Sequence, residues 1–172
     1  MRAEQEAEFR EYVAARAGQL RRCAYLVCGD WHRAEDAVQI AFVKLYGAWN
    51  RARRSGLDAY ARRIVLNSVI DDHRRAWFRR ERSSERLPER PLGDHSQASA
   101  DRLTIMNALA LLPVRQRAVI VLRYWDDQPV EQTALIMRCS TGTVKSQTAR
   151  GLRTLRGLLT ESIHERIEGI TS

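Results

Sequence analysis

Two stretches hold the side chains that could do chemistry. "MRCSTGTVKSQTARGLRTLR", residues 137–156, carries five positive charges and no acid, and "LDAYARRIVLNSVIDDHRRAWFRRER", residues 57–82, interleaves Tyr60, Trp77 and Phe78 with seven arginines. Lys and Arg pair with guanine edges or phosphates, Gln bridges adenine, and small Ser, Thr and Ala residues permit close approach, which suits duplex DNA. Aromatic rings beside cations suit unstacked bases and single-strand backbone. For the first stretch a solvated basic face on a helical bundle is an equal alternative. For Trp77 and Phe78 so is core or junction packing.

No catalytic constellation accompanies them. Asp71-Asp72 and Asp126-Asp127 are paired carboxylates, but adjacent residues of a helix point apart, and charge balance or capping accounts for them. His32, His73, His95 and His164 are scattered, and no Gly-rich phosphate loop is present. Cys23, Cys28 and Cys139 form no CxxC pair and have no His at ligand spacing, so they read as buried free thiols. The expectation is no catalytic residue, no metal and no cofactor.

Charge sharpens the class of partner. The 172 residues carry a formal charge of +8 with 44% hydrophobic content, which argues against a disordered basic tail. The excess sits in two patches: residues 51–90 hold twelve arginines against six acids, and 138–160 hold five cations and no acid. A folded basic protein of this kind meets a polyanion. No signal-peptide core or membrane-length apolar run occurs, so a cytoplasmic protein without membrane insertion is expected.

The elements that must position these residues read as helices throughout. Apolar residues at helical spacing predict helices over 5–28, from Asp30 as cap to near Asn50, and from about Asp58 to Arg80. Residues 81–100 lose all apolar period and contain two prolines, which predicts a linker. Helices then follow over Leu103–Leu112, Pro113–Trp125 and from Val130. The fold class is all-α: two small helical domains joined by a flexible linker, with domain 1–80, linker 81–100 and domain 101–172.

In the second domain the helix Val130–Met137, a turn at Arg138 and Cys139, and a helix capped by Ser140 have helix-turn-helix spacing. Val144, Thr148, Leu152 and Leu155 line one face of the last helix. Thr143, Ser146, Ala149, Arg150 and Arg153 lie opposite, flanked by Lys145 and Gln147. In the first domain, the helix 34–49 completes a buried stripe yet keeps a second, mixed face of Asp36, Gln39, Ile40 and Val43.

Three segments, "AEDAVQIAFVKLYGAW" (34–49), "LDAYARRIVLNSVIDDHRR" (57–75) and "LPVRQRAVIVLRYWDDQPVEQTALIMRCSTGTVKSQTARGLRTLR" (112–156), together resemble the extracytoplasmic-function sigma factors of bacterial RNA polymerase. The details look most like the SigE-like group common in actinobacteria. The resemblance implies a factor that binds core RNA polymerase and promoter DNA, with an anti-sigma protein as a further candidate partner. Its first domain would bind the polymerase clamp through Asp36, Gln39, Ile40 and Val43 and open the −10 element with Tyr60, Arg63, Asn67, Arg74 and Arg75. Its second would read the −35 element with Ser140, Thr143, Lys145, Ser146, Gln147 and Arg150.

The sequence departs from the family pattern at Ile40, where an acid is usual, at Thr133, an aliphatic position, at Arg138, a glycine position, and at Gln147, often Arg. Two rival functions fit the residues less well. A stand-alone helix-turn-helix regulator would show a polymerase-independent two-fold footprint. A nuclease would need metal-binding carboxylates on one face.

Overall fold

Apolar periodicity and local capping account for the order of the elements. The computed structural model describes residues 3–83 and 97–171, with side chains over 3–82 and 101–161; most of the expected linker lies outside the described residues. Helix α1 (Ala3–Cys28) ends where Gly29 takes the left-handed conformation, at φ 72°. The Asp30 carboxylate then accepts from the backbone N–H groups of His32 and Arg33, opening α2 (Trp31–Gly47). That is the cap the sequence predicts.

Helix α2 stops earlier than expected, and a short helix, α3 (Trp49–Ser55), follows it. The break turns Trp49 inward, where its ring meets Phe9 and Tyr12 edge-on at 5.2 and 6.0 Å. Helix α4 (Leu57–Ser83) runs longer than its periodicity suggests, and α5 (Gln97–Ala110) begins before Leu103. Where one helix was expected over Pro113–Trp125, α6 (Val114–Ile120) opens into a π-helical turn, Val121–Trp125. Helices α7 (Val130–Met137) and α8 (Thr141–Thr171) complete the chain.

The sequence leads one to expect two small helical domains, and their apolar faces meet. Ala24, Val27, Ala37, Val65 and Leu66 of the first half share one apolar cluster with Ala118, Val119, Leu122, Ile136 and Val144 of the second. Polar groups lock the same contact. The Asp126 carboxylate, on a residue only 7% exposed, is met by the Arg62 guanidinium of α4 and by Gln19 Nε2 of α1 at 2.6 Å. Burial disfavours the Arg62 charge, but the carboxylate outweighs that penalty and raises its pKa. Arg117 of α6 reaches the Val27 carbonyl at the end of α1 while also holding the carbonyls of Ala110 and Leu112 at 2.9 Å.

Cys23 sits beside this pair. Burial, helped by the nearby Asp126 charge, pushes its thiol up to about 12, so it carries almost no thiolate at neutral pH.

Asp126→Asn preserves shape but removes the nearer of the two carboxylates that answer Arg62, leaving Asp58 at 3.8 Å. Losing one partner of a buried pair costs roughly 3–5 kcal/mol, and here the cost falls on the contact between the halves. The expected outcome is retained helicity, a larger scattering radius and a Cys23 that reacts with a thiol reagent at about pH 8. An unchanged radius with Cys23 still protected would show that apolar packing alone keeps the halves together.

Candidate polymerase and nucleic-acid interfaces

Three solvent-facing surfaces arise because each helix spends its other face on the core. On α2, Ala34, Ala37, Val38, Ala41 and Leu45 are buried. Residues Asp36, Gln39, Ile40 and Val43, turned away from them, are all exposed, with Val43 at 74%. An apolar pair left in water beside a carboxylate and an amide is the composition of a protein-docking surface.

On α4 the buried residues are Ala61, Arg62, Val65, Leu66, Val69 and Ile70, and the opposite face carries Tyr60, Arg63, Asn67, Arg74 and Arg75. Asn67, Arg74 and Arg75 are exposed, whereas Tyr60 and Arg63 are half-buried. The Arg63 guanidinium lies 5.0 Å from the centre of the Tyr60 ring, a cation–π contact that fixes both side chains. Arg74 pairs with Asp71 at 3.2 Å; both are largely exposed, so the pair restrains Arg74 only weakly. The junction packing that the sequence allowed for Trp77 and Phe78 is not seen among the described residues.

The helix-turn-helix takes shape around backbone constraints. Arg138 ends α7 in the left-handed conformation, φ 52°, at the position where the family pattern has glycine. Ser140 Oγ accepts from the Thr143 N–H at 3.0 Å, and the two hydroxyls lie 2.9 Å apart, which caps α8. Val144 is fully buried, and Leu152 and Leu155 pack on Ile120 and the α5 residues Met106 and Leu109. Thr133, the polar residue in an aliphatic position, is fully buried, and its hydroxyl donates to the Gln128 carbonyl.

Outward-facing Thr143, Lys145, Ser146 and Arg150 are exposed, and Ser146 donates to the Thr143 carbonyl at 3.0 Å. Gln147 differs from them: it is half-buried, and its Oε1 accepts from Gln116 Nε2 of α6 at 3.4 Å. Helix α8 approaches α6 at Gly151, where a Cβ would lie 2.8 Å from Ile120 Cγ1 and 3.3 Å from Gln116 Cγ.

Arg63 of α4 and Leu135, Ser140 and Thr141 of the helix-turn-helix line one cleft of about 730 Å³. Arg63 thus faces the turn of the helix-turn-helix across the joint between the halves, while Arg74, Arg75, Lys145 and Arg150 lie outside that cleft. Near that joint, burial and then Arg117, Arg33 and Arg80 lower the His73 pKa below its ordinary 6.5, against an opposing pull from Asp72. Stability from a neutral His73 is therefore complete above the ordinary value and declines as pH falls below it.

Sequence reasoning missed Arg62, Asp126 and Arg117. For Arg62 a signal was present: it falls on the apolar stripe of α4, one turn before Leu66 and two before Val69. Asp126 carries no such signal, because the π-helical turn that aims it inward breaks the 3.6-residue period.

The family profile described as "Sigma-70 region 2" matches residues 12–79, and "Sigma-70, region 4" matches 102–155. The chain is 39% identical over 154 residues to an RNA polymerase sigma-E factor of Streptomyces coelicolor, a match spanning 87% of this chain and 84% of that protein. It is 35% identical over 153 residues to the ECF RNA polymerase sigma factor SigL of Mycobacterium tuberculosis, spanning 84% and 85%. In shape it is similar to the sigma factor RpoE in a co-crystal structure with the anti-sigma factor NepR from Bartonella quintana: TM-score 0.77, 26% identity, 89% of this chain and 97% of that one.

Gly151→Ala tests how tightly α8 is seated. Ile120 must shift along its branched stem to admit the methyl group, an overpacking cost of roughly 1–3 kcal/mol that outweighs the roughly 0.5–1 kcal/mol alanine gains over glycine inside a helix, so a lower urea midpoint is expected. A raised midpoint would mean that Ile120 yields at little cost.

Proposed function

The chain belongs to the extracytoplasmic-function sigma factors of the sigma-70 family, and from that premise we propose how its surfaces divide the work. It is a sigma factor that directs promoter-specific transcription initiation. Residues 1–80 dock on core RNA polymerase through Asp36, Gln39, Ile40 and Val43 and open the −10 element through Tyr60, Arg63, Asn67, Arg74 and Arg75. Residues 101–172 read the −35 element through Ser140, Thr143, Lys145, Ser146, Gln147 and Arg150, and 81–100 links the two. The chain itself is not an enzyme; it brings the polymerase to the promoter in the cytoplasm, and an anti-sigma protein, such as the one bound to the similar solved structure, is a fitting regulator.

The observation that carries this reading is the exposure of every α2 docking residue on the side away from a complete core stripe. A second geometric point bears on mechanism. Elements centred about 25 base pairs apart lie roughly 85 Å apart on duplex DNA at about 3.4 Å per pair. Arg63 and Ser140 line a single cleft here, so reading both elements requires the halves to separate. Promoter binding is then coupled to opening.

Replacing Asp36 and Gln39 together by Ala should weaken association with core polymerase while leaving helicity and melting temperature nearly unchanged, because both side chains project into solvent. Intact pull-down of core polymerase would remove the assignment of this face.

Gln147→Arg should re-rank −35 variants in transcription from a randomised promoter library, with about 1–3 kcal/mol of discrimination at the affected base. The substitution also releases Gln116, the present partner of Gln147. An unchanged ranking excludes position 147 from base readout.

A further inference from the structure

Where α2 breaks into α3, a pocket of about 520 Å³ is lined by Tyr46, Gly47, Trp49, Asn50, Arg51 and Arg54. Small-molecule sites run from roughly 300 to 1,000 Å³, so a molecule of modest size fits. None of these residues belongs to the surfaces assigned above to polymerase, the −10 element or the −35 element.

The fold leaves one of the lining groups unsatisfied. Trp49 is 3% exposed and packs on Phe9 and Tyr12, yet its Nε1–H is buried without a hydrogen-bond partner among the described residues. A buried donor in that condition is costly, and native structures keep few. An acceptor seated in the pocket against Trp49 would remove the cost.

Charge points to the same acceptor. Arg51 and Arg54 lie three residues apart on one face of α3, exposed, with no acid at ion-pair distance among the described residues. Arg53 between them turns instead to α1, where it pairs with Glu8 at 3.0 Å. Asn50 Oδ1 accepts from Gln5 Nε2 at 2.9 Å, which leaves the Asn50 amide N–H groups as donors. Two like charges one turn apart repel, and an anion bound by both offsets the repulsion.

Tyr46 supplies the apolar wall. Phe9 holds its ring edge-on at 5.2 Å, and the residue is still 45% exposed. Next to it Gly47 has no Cβ, and nothing lies within 4 Å of where one would stand. A flat ring therefore has room to stack beside Tyr46.

We infer that this pocket binds a small aromatic phosphate of the mononucleotide class, with the phosphate held by Arg51, Arg54, Asn50 and the Trp49 N–H and the ring against Tyr46. A phosphate monoester carries close to two negative charges at neutral pH, which matches two unpaired guanidinium groups. A carboxylate or a backbone phosphate of DNA brings only one.

The full-length protein is titrated calorimetrically with AMP, GMP, inorganic phosphate and adenosine. A nucleotide should bind at least about tenfold more tightly than phosphate or adenosine, because it alone engages both walls. R51A/R54A should weaken nucleotide binding at least about tenfold, and Y46A about tenfold, whereas Y46F keeps the ring and should bind like the unsubstituted protein. Holoenzyme reconstituted with R51A/R54A should keep core association and promoter binding within about twofold.

Failure of both nucleotides to bind, or equal binding by R51A/R54A, would overturn the site. So would a loss of core association or promoter binding in R51A/R54A as large as the loss of nucleotide binding, since the two arginines would then serve a macromolecule.

Discussion

A carboxylate buried between two halves of a chain dictates how those halves can meet. Asp126 is withdrawn from water, and a charge so placed costs several kcal/mol unless ionic and hydrogen-bonding partners surround it. Arg62 and Gln19 supply them from α4 and α1. The π-helical turn exists at the same place: its wider backbone hydrogen bond, Asp126 N–H to the Val121 carbonyl at 3.0 Å, turns Asp126 inward and leaves Tyr124 and Trp125 outside. Apolar surfaces such as those of Val119 and Val65, members of one cluster, could slide with little penalty. The ion pair cannot slide without stranding a charge, so it sets the position of the helix-turn-helix relative to α4.

Much of this was legible in the sequence wherever one helix settles its own affairs. The Asp30 and Ser140 caps, the buried stripes of α2 and α8 and the exposed face of Asp36, Gln39, Ile40 and Val43 follow from spacing alone, because capping and amphipathicity are local. The joint was not legible. Arg117 reads as another surface cation until its guanidinium is seen gathering carbonyls from α1, α5 and the loop before α6. The run Pro113–Trp125 has continuous helical period, and nothing in its composition marks the switch to π geometry at Val121. Gln147 shows the same limit at the site itself: its phase on α8 is readable, its amide contact with Gln116 is not.

The closed arrangement changes what the net charge means. A chain of +8 with two bare cationic helices would bind any duplex through counterion release, independent of sequence. Here Arg63 is half-buried, engaged with Tyr60 and turned toward the cleft that also contains Ser140 and Thr141. Arg63 is therefore shielded from solvent polyanions in this arrangement, whereas Arg74, Arg75, Lys145 and Arg150 stay exposed.

The opening proposed above would expose Val119, Leu122, Ile136 and the face of Val65 and Leu66, which share one apolar cluster, and would leave Arg62 and Asp126 to rehydrate. A partner drives that change only by the difference between its affinities for the open and closed forms. The α2 face of Asp36, Gln39, Ile40 and Val43 is exposed while the halves are closed, so contact there can precede opening but cannot by itself favour it. The driving contacts must lie on surfaces hidden in the cleft or on the separated positions of α4 and α8. A protein that grips both halves at once has the opposite effect, since every contact it makes across the joint counts only in the closed form. On the proposed function, contacts that count only in the separated form and contacts that bridge the joint would oppose each other through the Arg62–Asp126 pair.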